Sequence, residues 1–366
     1  MSDKIPLFKV YMRASVKEEI AKTLMGGQVA QGPKVQEFES GVARFLNVAD
    51  KQVVSVNSCT SAIHLALDLI KGEVGRCSVI TTPMTCAATN IPLLHHGFDI
   101  KWCDVDNNLN VDLEKARLLL DKNTRILIAV HWGGIPIIGL EAIKTFYLKK
   151  FGYPLFVIED CAHAWDTSIE NEHVGVKNFG CFSCQAIKTL TTGDGGLLVC
   201  PPDFSHRARL KRWFGLDRES GATFRSCQDI EVVGYKFHMN DIAATIGIEN
   251  LKETKRLILK HRINASIYDV LLQKRFQSPN KVGNPSYWLY TIHVDDRNRF
   301  AKYMAENGVE VNPVHTRNDE LSIFREYKTA LPNLDRLAPS MMCIPVGWWL
   351  SENQITYIAE KINAYV

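Results

Sequence analysis

Short apolar runs alternate along the chain with segments in which apolar side chains recur at helical spacing. Runs of strand length with near-continuous apolar character predict strands that are covered on both faces. The predicted strands span residues 52–56, 78–80, 126–131, 155–160, 180–184 and 196–200. Because helical patterns separate several of them, the chain is predicted to be α/β, with a mainly parallel mixed sheet flanked by helices.

The pattern changes in the last third of the chain. One helical pattern runs through residues 239–275, with no proline and no glycine after Gly247. A mixed strand and helix segment follows at 287–314, and an amphipathic helix begins at Glu352. We therefore predict a large domain over residues 1–247 and a smaller C-terminal α+β domain over residues 248–366, with the change near Gly247–Glu253.

Composition narrows the classes of partner. The 43 basic and 40 acidic residues are spread along the chain without a basic block, so nucleic acid is not a predicted partner. The longest aliphatic runs have strand length, which predicts no membrane span and a cytoplasmic protein.

The 10 cysteines are scattered through apolar segments, which favours free thiols. Cys181 and Cys184 form one CxxC without a second pair, so we interpret them as strand residues and predict no metal site.

Small polar residues cluster where the first predicted strand meets the next helix. Asn57, Ser58, Thr60 and Ser61 lie at this junction. Free amide groups and the positive end of a helix dipole can hold a phosphate there. An ordinary helix N-cap is the alternative interpretation.

Two acids, Glu159 and Asp160, end another predicted strand. Ligands of open α/β sheets bind at the carboxyl ends of strands, which places Asp160 where a cofactor would lie. A buried carboxylate needs a positive partner, and a protonated pyridine nitrogen would supply one. A salt bridge to an arginine is the alternative.

Lys188 stands among Phe182, Ile187 and Leu190 and precedes a glycine-rich loop. Partial desolvation would lower the pKa of this lysine and free its amine as a nucleophile. A lysine that merely extends to water is the alternative. A phosphate seat, an acid at a strand end and a lysine in one α/β domain form the set that pyridoxal 5′-phosphate requires.

Several stretches resemble the DegT/DnrJ sugar-nucleotide aminotransferases, a fold-type I pyridoxal-phosphate family, over nearly the whole chain. They are residues 32–39, 57–67, 130–136, 157–164, 182–196 and 234–247. The resemblance implies the fold-type I aminotransferase architecture and a homodimer with shared active sites. It also implies pyridoxal 5′-phosphate as the cofactor, with pyridoxamine 5′-phosphate as its second form.

The resemblance also assigns roles to residues that match its motifs. Lys188 aligns with the lysine that forms a Schiff base with the cofactor and shuttles the proton, and Asp160 aligns with the acid that pairs with the ring nitrogen. Thr60, Ser61 and Ser183 align with the residues that hold the cofactor phosphate. Lys188 and Asp160 are therefore the predicted catalytic residues.

Three further cofactor positions depart from the family pattern. His163 stands where the family has glutamine near the cofactor ring hydroxyl. Cys86 stands where the family stacks an aromatic side chain on the ring, and a polarisable thiol can still pack there. Lys236 replaces the phosphate-binding asparagine that the neighbouring subunit supplies, and a lysine can serve a phosphate as a point charge.

Basic and polar residues in two loops are candidates for contacts with the diphosphate and sugar of the substrate. Solvated loops or interface contacts are the alternative. The candidates are Arg212, Arg218, His315, Arg317 and Asn318.

The resemblance implies transfer of an amino group from L-glutamate to a nucleotide-linked 4-keto-6-deoxy sugar, which yields a 4-amino-4,6-dideoxy sugar. Amination at C3 of a 3-keto sugar nucleotide is an alternative. A sugar 3-dehydratase would carry histidine at the position of Lys188, which argues against that activity. A pyridoxal-phosphate enzyme acting on amino acids alone and a non-catalytic sugar-nucleotide-binding regulator complete the alternatives.

Overall fold

A seven-stranded sheet forms the centre of the chain in the computed structural model, which describes residues 4–218, 228–277 and 282–365. A two-stranded hairpin lies beside it, and a second two-stranded sheet belongs to the C-terminal part. In chain order the strands are β1 (Val53–Val56), β2 (Ser78–Thr81), β3 (Asp99–Trp102), β4 (Thr124–Val130), β5 (Phe156–Asp160), β6 (Ser168–Ile169), β7 (Glu172–His173), β8 (Phe179–Ser183), β9 (Gly196–Val199), β10 (Tyr290–His293) and β11 (Met341–Ile344).

The strand order in the large sheet is β1-β9-β8-β5-β4-β2-β3. Strands β3, β2, β4, β5 and β8 run parallel, whereas β9 is antiparallel to both of its neighbours. The prediction of a mainly parallel mixed sheet is therefore confirmed, and each of the six predicted strands is present. Strand β1 lies at one edge of the sheet and pairs with β9, in a register that places Val53 opposite Val199.

Helices cover both faces of this sheet and continue into the C-terminal part. Among the described residues they are α1 (Val16–Met25), α2 (Pro33–Leu46), α3 (Cys59–Val74), α4 (Ala87–His96), α5 (Leu113–Leu119), α6 (Leu140–Phe151), α7 (Pro202–Arg212), α8 (Asp241–Leu271), α9 (Arg297–Glu306), α10 (Pro332–Leu337) and α11 (Glu352–Ala364). None of the described helices is both long and apolar enough to cross a membrane.

Side-chain caps fix the starts of two helices that matter for the site. The hydroxyl of Ser58 accepts a hydrogen bond from the backbone N–H of Ser61, at 3.1 Å, and thereby caps α3. The carboxylate of Asp241 accepts hydrogen bonds from the N–H groups of Gly32 (2.8 Å) and Val35 (3.1 Å) at the start of α2. This long-range cap ties α2 to the first turn of α8.

The C-terminal part has a core of its own. Strands β10 and β11 pair antiparallel, and α9, α11 and the second half of α8 supply buried residues such as Tyr268, Phe300 and Ile358. Ile5 also belongs to this core, and its N–H donates to the carbonyl of Gly308 at 2.8 Å. The N-terminal segment around Ile5 therefore packs against the C-terminal part of the chain.

Helix α8 confirms the long helix that the sequence predicts, and α11 confirms the closing helix from Glu352. Helix α8 continues without interruption through residues 247–253, where the sequence predicts the change of domain. One helix thus contributes to the cores on both sides of that position. The division at residue 247 stays a prediction.

Candidate active site

A cavity of about 580 Å³ lies where several strands of the large sheet end. Val130, Asp160 and Ser183, the last residues of β4, β5 and β8, line it together with Thr60 from α3 and the side chain of Lys188. The structure therefore brings the three predicted chemical features to one place. A volume of this size lies within the range of about 300–1,000 Å³ that small-molecule sites occupy.

The first turn of α3 is the place where the sequence predicts a phosphate seat. Thr60 lines the cavity, whereas the hydroxyl of Ser61 donates to the side-chain oxygen of Asn57, at 2.6 Å, and does not line it. Strand β9 approaches this turn so closely that a Cβ on Gly196 would lie 2.4 Å from the backbone nitrogen of Cys59. The absent side chain at Gly196 thus lets the loop after Lys188 lie beside the seat.

Asp160 is held in one orientation by two donors. The hydroxyl of Thr89 donates to Oδ2 at 2.7 Å, and the N–H of Ala162 donates to Oδ1 at 3.0 Å. The residue is 5% exposed, and no lysine, arginine or histidine among the described residues forms a salt bridge with it. Its charge is therefore available to a cationic group in the cavity.

Lys188 lies half-buried in the cavity wall, with Nζ 3.4 Å from the ring centroid of Trp288. Burial lowers the pKa of this lysine to about 8, although the negative charge of Asp160 acts in the opposite direction. A larger fraction of the amine is consequently neutral near pH 7 than for an exposed lysine. The burial of Lys188 in the cavity wall agrees with the predicted partial desolvation of its amine.

Two histidines form a stack on the same side of the cavity. The rings of His163 and His315 are 5.6 Å apart and inclined by only 5°. The N–H of Gly133 donates to Nδ1 of His163 at 3.3 Å, which leaves the proton of the neutral ring on Nε2. Burial, reinforced by Lys188, lowers the pKa of His315 to about 4 and that of His163 well below its usual range. Both rings are therefore neutral at pH 7.

The remaining cofactor candidate on this chain, Cys86, lies at the start of α4 and is exposed toward the cavity. Cys181 and Cys184, by contrast, are fully buried free thiols in and next to β8, as the sequence interpretation expects.

Two of the predicted substrate residues serve internal contacts. The guanidinium of Arg317 binds both carboxylate oxygens of Asp319, at 2.9 and 2.6 Å, and also Asp335 at 2.5 Å. The buried amide of Asn318 bonds to Asn90 and to the carbonyl of Thr85. Neither residue lines the cavity of Lys188, because both hold the chain segment that bears His315 against the loop before α4.

Arg212 and Arg218 line a second cavity of about 600 Å³ and not the one that contains Lys188. Nη1 of Arg212 lies 2.5 Å from the carboxylate of Glu39 and donates to the carbonyl of Ser55. Burial alone would raise the pKa of Glu39, but Arg212 and Arg209 lower it overall. Within one chain, the structure thus gives Arg212 the role of a buried ion-pair partner.

Lys236 also lies outside the cavity of its own chain. Its Nζ is 3.6 Å from the ring centroid of Trp213, and the guanidinium of Arg218 lies 4.3 Å from the same ring. Nη2 of Arg218 donates to the carbonyl of Gln31. These two cations therefore share one indole.

One group of side chains has the composition of a metal site, namely His131, Glu159 and Cys161. Its hydrogen bonds favour another role. The N–H of Ile137 donates to Nδ1 of His131, and Nε2 of the same ring lies 2.9 Å from the carboxylate of Glu159. Burial alone would raise the pKa of Glu159, but His131 and Asn178 lower it overall. We interpret the group as a hydrogen-bonded network that supports the end of β5.

Sequence reasoning missed the aromatic wall of the cavity. Phe8 and Trp288 line it, and Trp132 packs edge-on against His163 and His315. Glu310 and Asn312 line its other side. These residues come from the N-terminal segment, from residues 288–312 and from the loop after β4, and apart from Trp132, which lies in the stretch 130–136, none stands in a local pattern that signals a site.

The sheet order and a cavity with a lysine and an acid at strand ends define the fold-type I aminotransferase class. The sequence profile described as "DegT/DnrJ/EryC1/StrS aminotransferase family" matches residues 10–363. The chain belongs to this family and is a pyridoxal-phosphate-dependent aminotransferase, with pyridoxamine 5′-phosphate as the second cofactor form.

Known relatives extend over the whole chain. AtS13 from Actinomadura melliaura is 38% identical, covers 100% of each chain and superposes with a TM-score of 0.95. The sugar aminotransferase CalS13 from Micromonospora echinospora is 36% identical, with a TM-score of 0.94 over 99% of this chain and 100% of that one. The spore coat polysaccharide biosynthesis protein SpsC of Bacillus subtilis (strain 168) is 28% identical over 95% of this chain and 94% of its own.

The cavity fits the cofactor of this family by its donor set. It offers a carboxylate without a salt-bridge partner among the described residues, an amine of lowered pKa and the first turn of a 16-residue helix. The buried Nε2 of His315 also has no hydrogen-bond partner in the described structure. A ligand with a ring nitrogen, an aldehyde and a phosphate matches these groups.

Proposed function

We propose that this aminotransferase moves an amino group from L-glutamate to a nucleotide-linked 4-keto-6-deoxy sugar and forms a 4-amino-4,6-dideoxy sugar. The observation that carries the proposal is the meeting of Lys188, Asp160 and the start of α3 in one cavity. A sugar substrate is supported by the names of CalS13, a sugar aminotransferase, and of SpsC, a polysaccharide biosynthesis protein. We place the enzyme in the cytoplasm as a homodimer.

The proposal gives each cavity residue a task toward the cofactor. Thr60 and the first turn of α3, with Ser183, would hold the phosphate, and Asp160 would hold the ring nitrogen in its protonated form. His163, which presents Nε2–H, would donate to the ring hydroxyl, and Cys86 would pack on the ring. Bound there, the cofactor supplies an electron sink that makes loss of a proton from the amino-bearing carbon possible.

Lys188 would move that proton. Its pKa of about 8 makes the neutral amine accessible near physiological pH, so it can accept a proton from the amino donor and release it at the cofactor. The neutral rings of His163 and His315 add no positive charge beside the amine. In the second half of the reaction the same amine would move the proton in the reverse direction.

The substrates carry negative charges that this cavity does not balance by itself. Glutamate has two carboxylates and a sugar nucleotide has a diphosphate, yet no arginine among the described residues lines the cavity of Lys188. A site shared between two subunits would bring further cations to the cavity. Lys236 and Arg218 are the residues we propose to reach the partner's cavity, and His315, with its unpartnered Nε2, would contact the sugar.

A substrate panel tests the proposed function. The purified enzyme would be assayed with L-glutamate and UDP-, GDP- and dTDP-linked 4-keto-6-deoxy sugars, with formation of 2-oxoglutarate as the readout. NMR of the product would show whether nitrogen resides on C4 or C3. A 3-keto sugar nucleotide as the preferred acceptor would contradict the assignment to C4, and no turnover with any keto sugar would contradict the substrate class.

Mixing Lys236→Ala with Lys188→Ala subunits tests the shared site, at a cofactor concentration low enough that Lys236→Ala is itself impaired. If Lys236 serves the partner's cofactor phosphate, Lys236→Ala should weaken cofactor binding about ten- to a hundredfold, since a charge-assisted hydrogen bond is lost. In a heterodimer with a Lys188→Ala subunit, one site would carry both defects and the other neither. Equal mixing should therefore restore about a quarter of wild-type activity, because half of the dimers would have one intact site.

Subunit exchange must be verified for that result to count, for example with differently tagged chains. Lys34→Ala, which removes a lysine that pairs with Glu37 on α2 at 2.8 Å, is the matched control and should bind the cofactor normally. Exchange without recovered activity would show that Lys236 does not act across the interface.

A further inference from the structure

The amine of Lys188 rests on the indole of Trp288. The distance from Nζ to the ring centroid is 3.4 Å, well inside the range of about 6 Å over which a cation and an aromatic face attract. The indole Nε1–H donates to the carbonyl of Ile187, the residue before Lys188, at 3.1 Å. Trp288 therefore contacts the amine of Lys188 and also donates a hydrogen bond to the backbone next to it.

Neighbouring rings keep the indole in this place. Phe8 stacks on Trp288 at a centroid distance of 5.0 Å and an angle of 19°. His163 stacks on it at 4.1 Å and 27°. With 5% of its surface exposed, Trp288 has a single packed orientation, and Lys188 meets a fixed ring face.

The ring acts on the protonation of the amine. Burial disfavours the charged amine, whereas the electron-rich face of an indole attracts an ammonium ion and has no comparable attraction for a neutral amine. Nearby charged and titratable groups also act on the pKa of Lys188. The titratable side chains around it are Cys59, Cys86, Asp160, His163, Asp194, Glu310 and His315.

We propose that Trp288 is a positioning residue for Lys188, whose ring face holds the amine in the cavity and retains the proton that the amine takes up between the two proton transfers. The proposal rests on the proposed role of Lys188 as the proton carrier. It differs from that role because the contact between ring and ammonium exists without substrate. An experiment can therefore contradict the positioning role of Trp288 without contradicting the role of Lys188 as proton carrier.

The test measures the protonation of Lys188 in the full-length protein freed of cofactor. Brief reaction with acetic anhydride over a series of pH values, followed by mass spectrometry of the peptide that contains Lys188, gives the pKa of its amine. Trp288→Leu keeps an apolar side chain but removes the ring face, so the pKa of Lys188 should fall by about one unit. Trp288→Phe keeps a ring face and should restore at least about half of that shift.

Trp102→Phe is the matched control, because this buried tryptophan packs against Phe324 and does not line the cavity. It should leave the pKa of Lys188 unchanged. An unchanged or raised pKa in a folded Trp288→Leu protein would overturn the proposal, as would a phenylalanine variant indistinguishable from the leucine one. Loss of turnover in Lys188→Ala is a separate result, so failure of the catalytic role would not be mistaken for failure of this contact.

Discussion

Replacing Lys188 by alanine is expected to reduce transamination by more than about 10³-fold, because the variant would lack both the amine that we propose to bond to the cofactor and the base that we propose to move the proton. The side chain lies half-buried in a cavity wall and not in a packed core, so the fold should persist. Borohydride reduction followed by mass spectrometry should find the cofactor mass on the peptide that contains Lys188 in the wild type and not in the variant.

Lys22→Ala offers a control for the loss of a lysine as such. Its side chain on α1 is 71% exposed and pairs with Glu19 on the surface. This variant should keep wild-type turnover and the cofactor mass on Lys188. Full turnover in Lys188→Ala would show that this lysine is not required for the reaction. Cofactor mass on the peptide of another lysine would show that the cofactor binds elsewhere.

Asp160→Asn is expected to slow the chemical step by about 10²-fold or more, the scale on which a preorganised electrostatic partner acts. Asparagine has nearly the same shape and can accept the hydrogen bond from Thr89 or from Ala162, but it carries no charge. The ring nitrogen of the cofactor would then lose the partner that keeps it protonated. Single-turnover measurements of each half of the reaction isolate this step from product release.

A comparison variant, Asp203→Asn, neutralises an exposed acid in the first turn of α7 and should leave the single-turnover rates unchanged. Melting temperatures of both variants should stay within a few degrees of the wild type, which would separate chemistry from stability. Unchanged rates in Asp160→Asn would show that this side chain has only a structural role, through its hydrogen bonds with Thr89 and Ala162.

Much of the sheet was predictable because its strands are covered on both faces and consist of apolar runs. Strand β3 was missed, since Asp99 and Lys101 alternate with Ile100 and Trp102 in an edge strand with one side partly exposed. The antiparallel placement of β9 was not predictable either, because strand order depends on packing between distant segments. The continuous helix across residue 247 was predictable, by contrast, because its pattern is helical on both sides of that residue.

The candidate site divides along a similar line. Residues at strand ends and helix starts, such as Asp160 and Thr60, could be predicted because the α/β arrangement itself brings those positions together. Trp288 could not, because it reaches the cavity through tertiary packing from a segment about 100 residues beyond Lys188. Arg212 shows the converse, since this candidate for substrate contacts is the last residue of helix α7 and pairs with the buried acid Glu39.

The edge position of β1 has a consequence for synthesis on the ribosome. Val53 pairs with Val199, so nearly 150 residues separate this edge strand from its neighbour β9. At the usual rate of about 5–20 residues per second, β1 would wait roughly 7 to 30 s for that neighbour to emerge. An apolar strand left without a partner for so long is open to pairing with other nascent chains, so we expect productive folding in the cell to depend on chaperone protection of the first 200 residues.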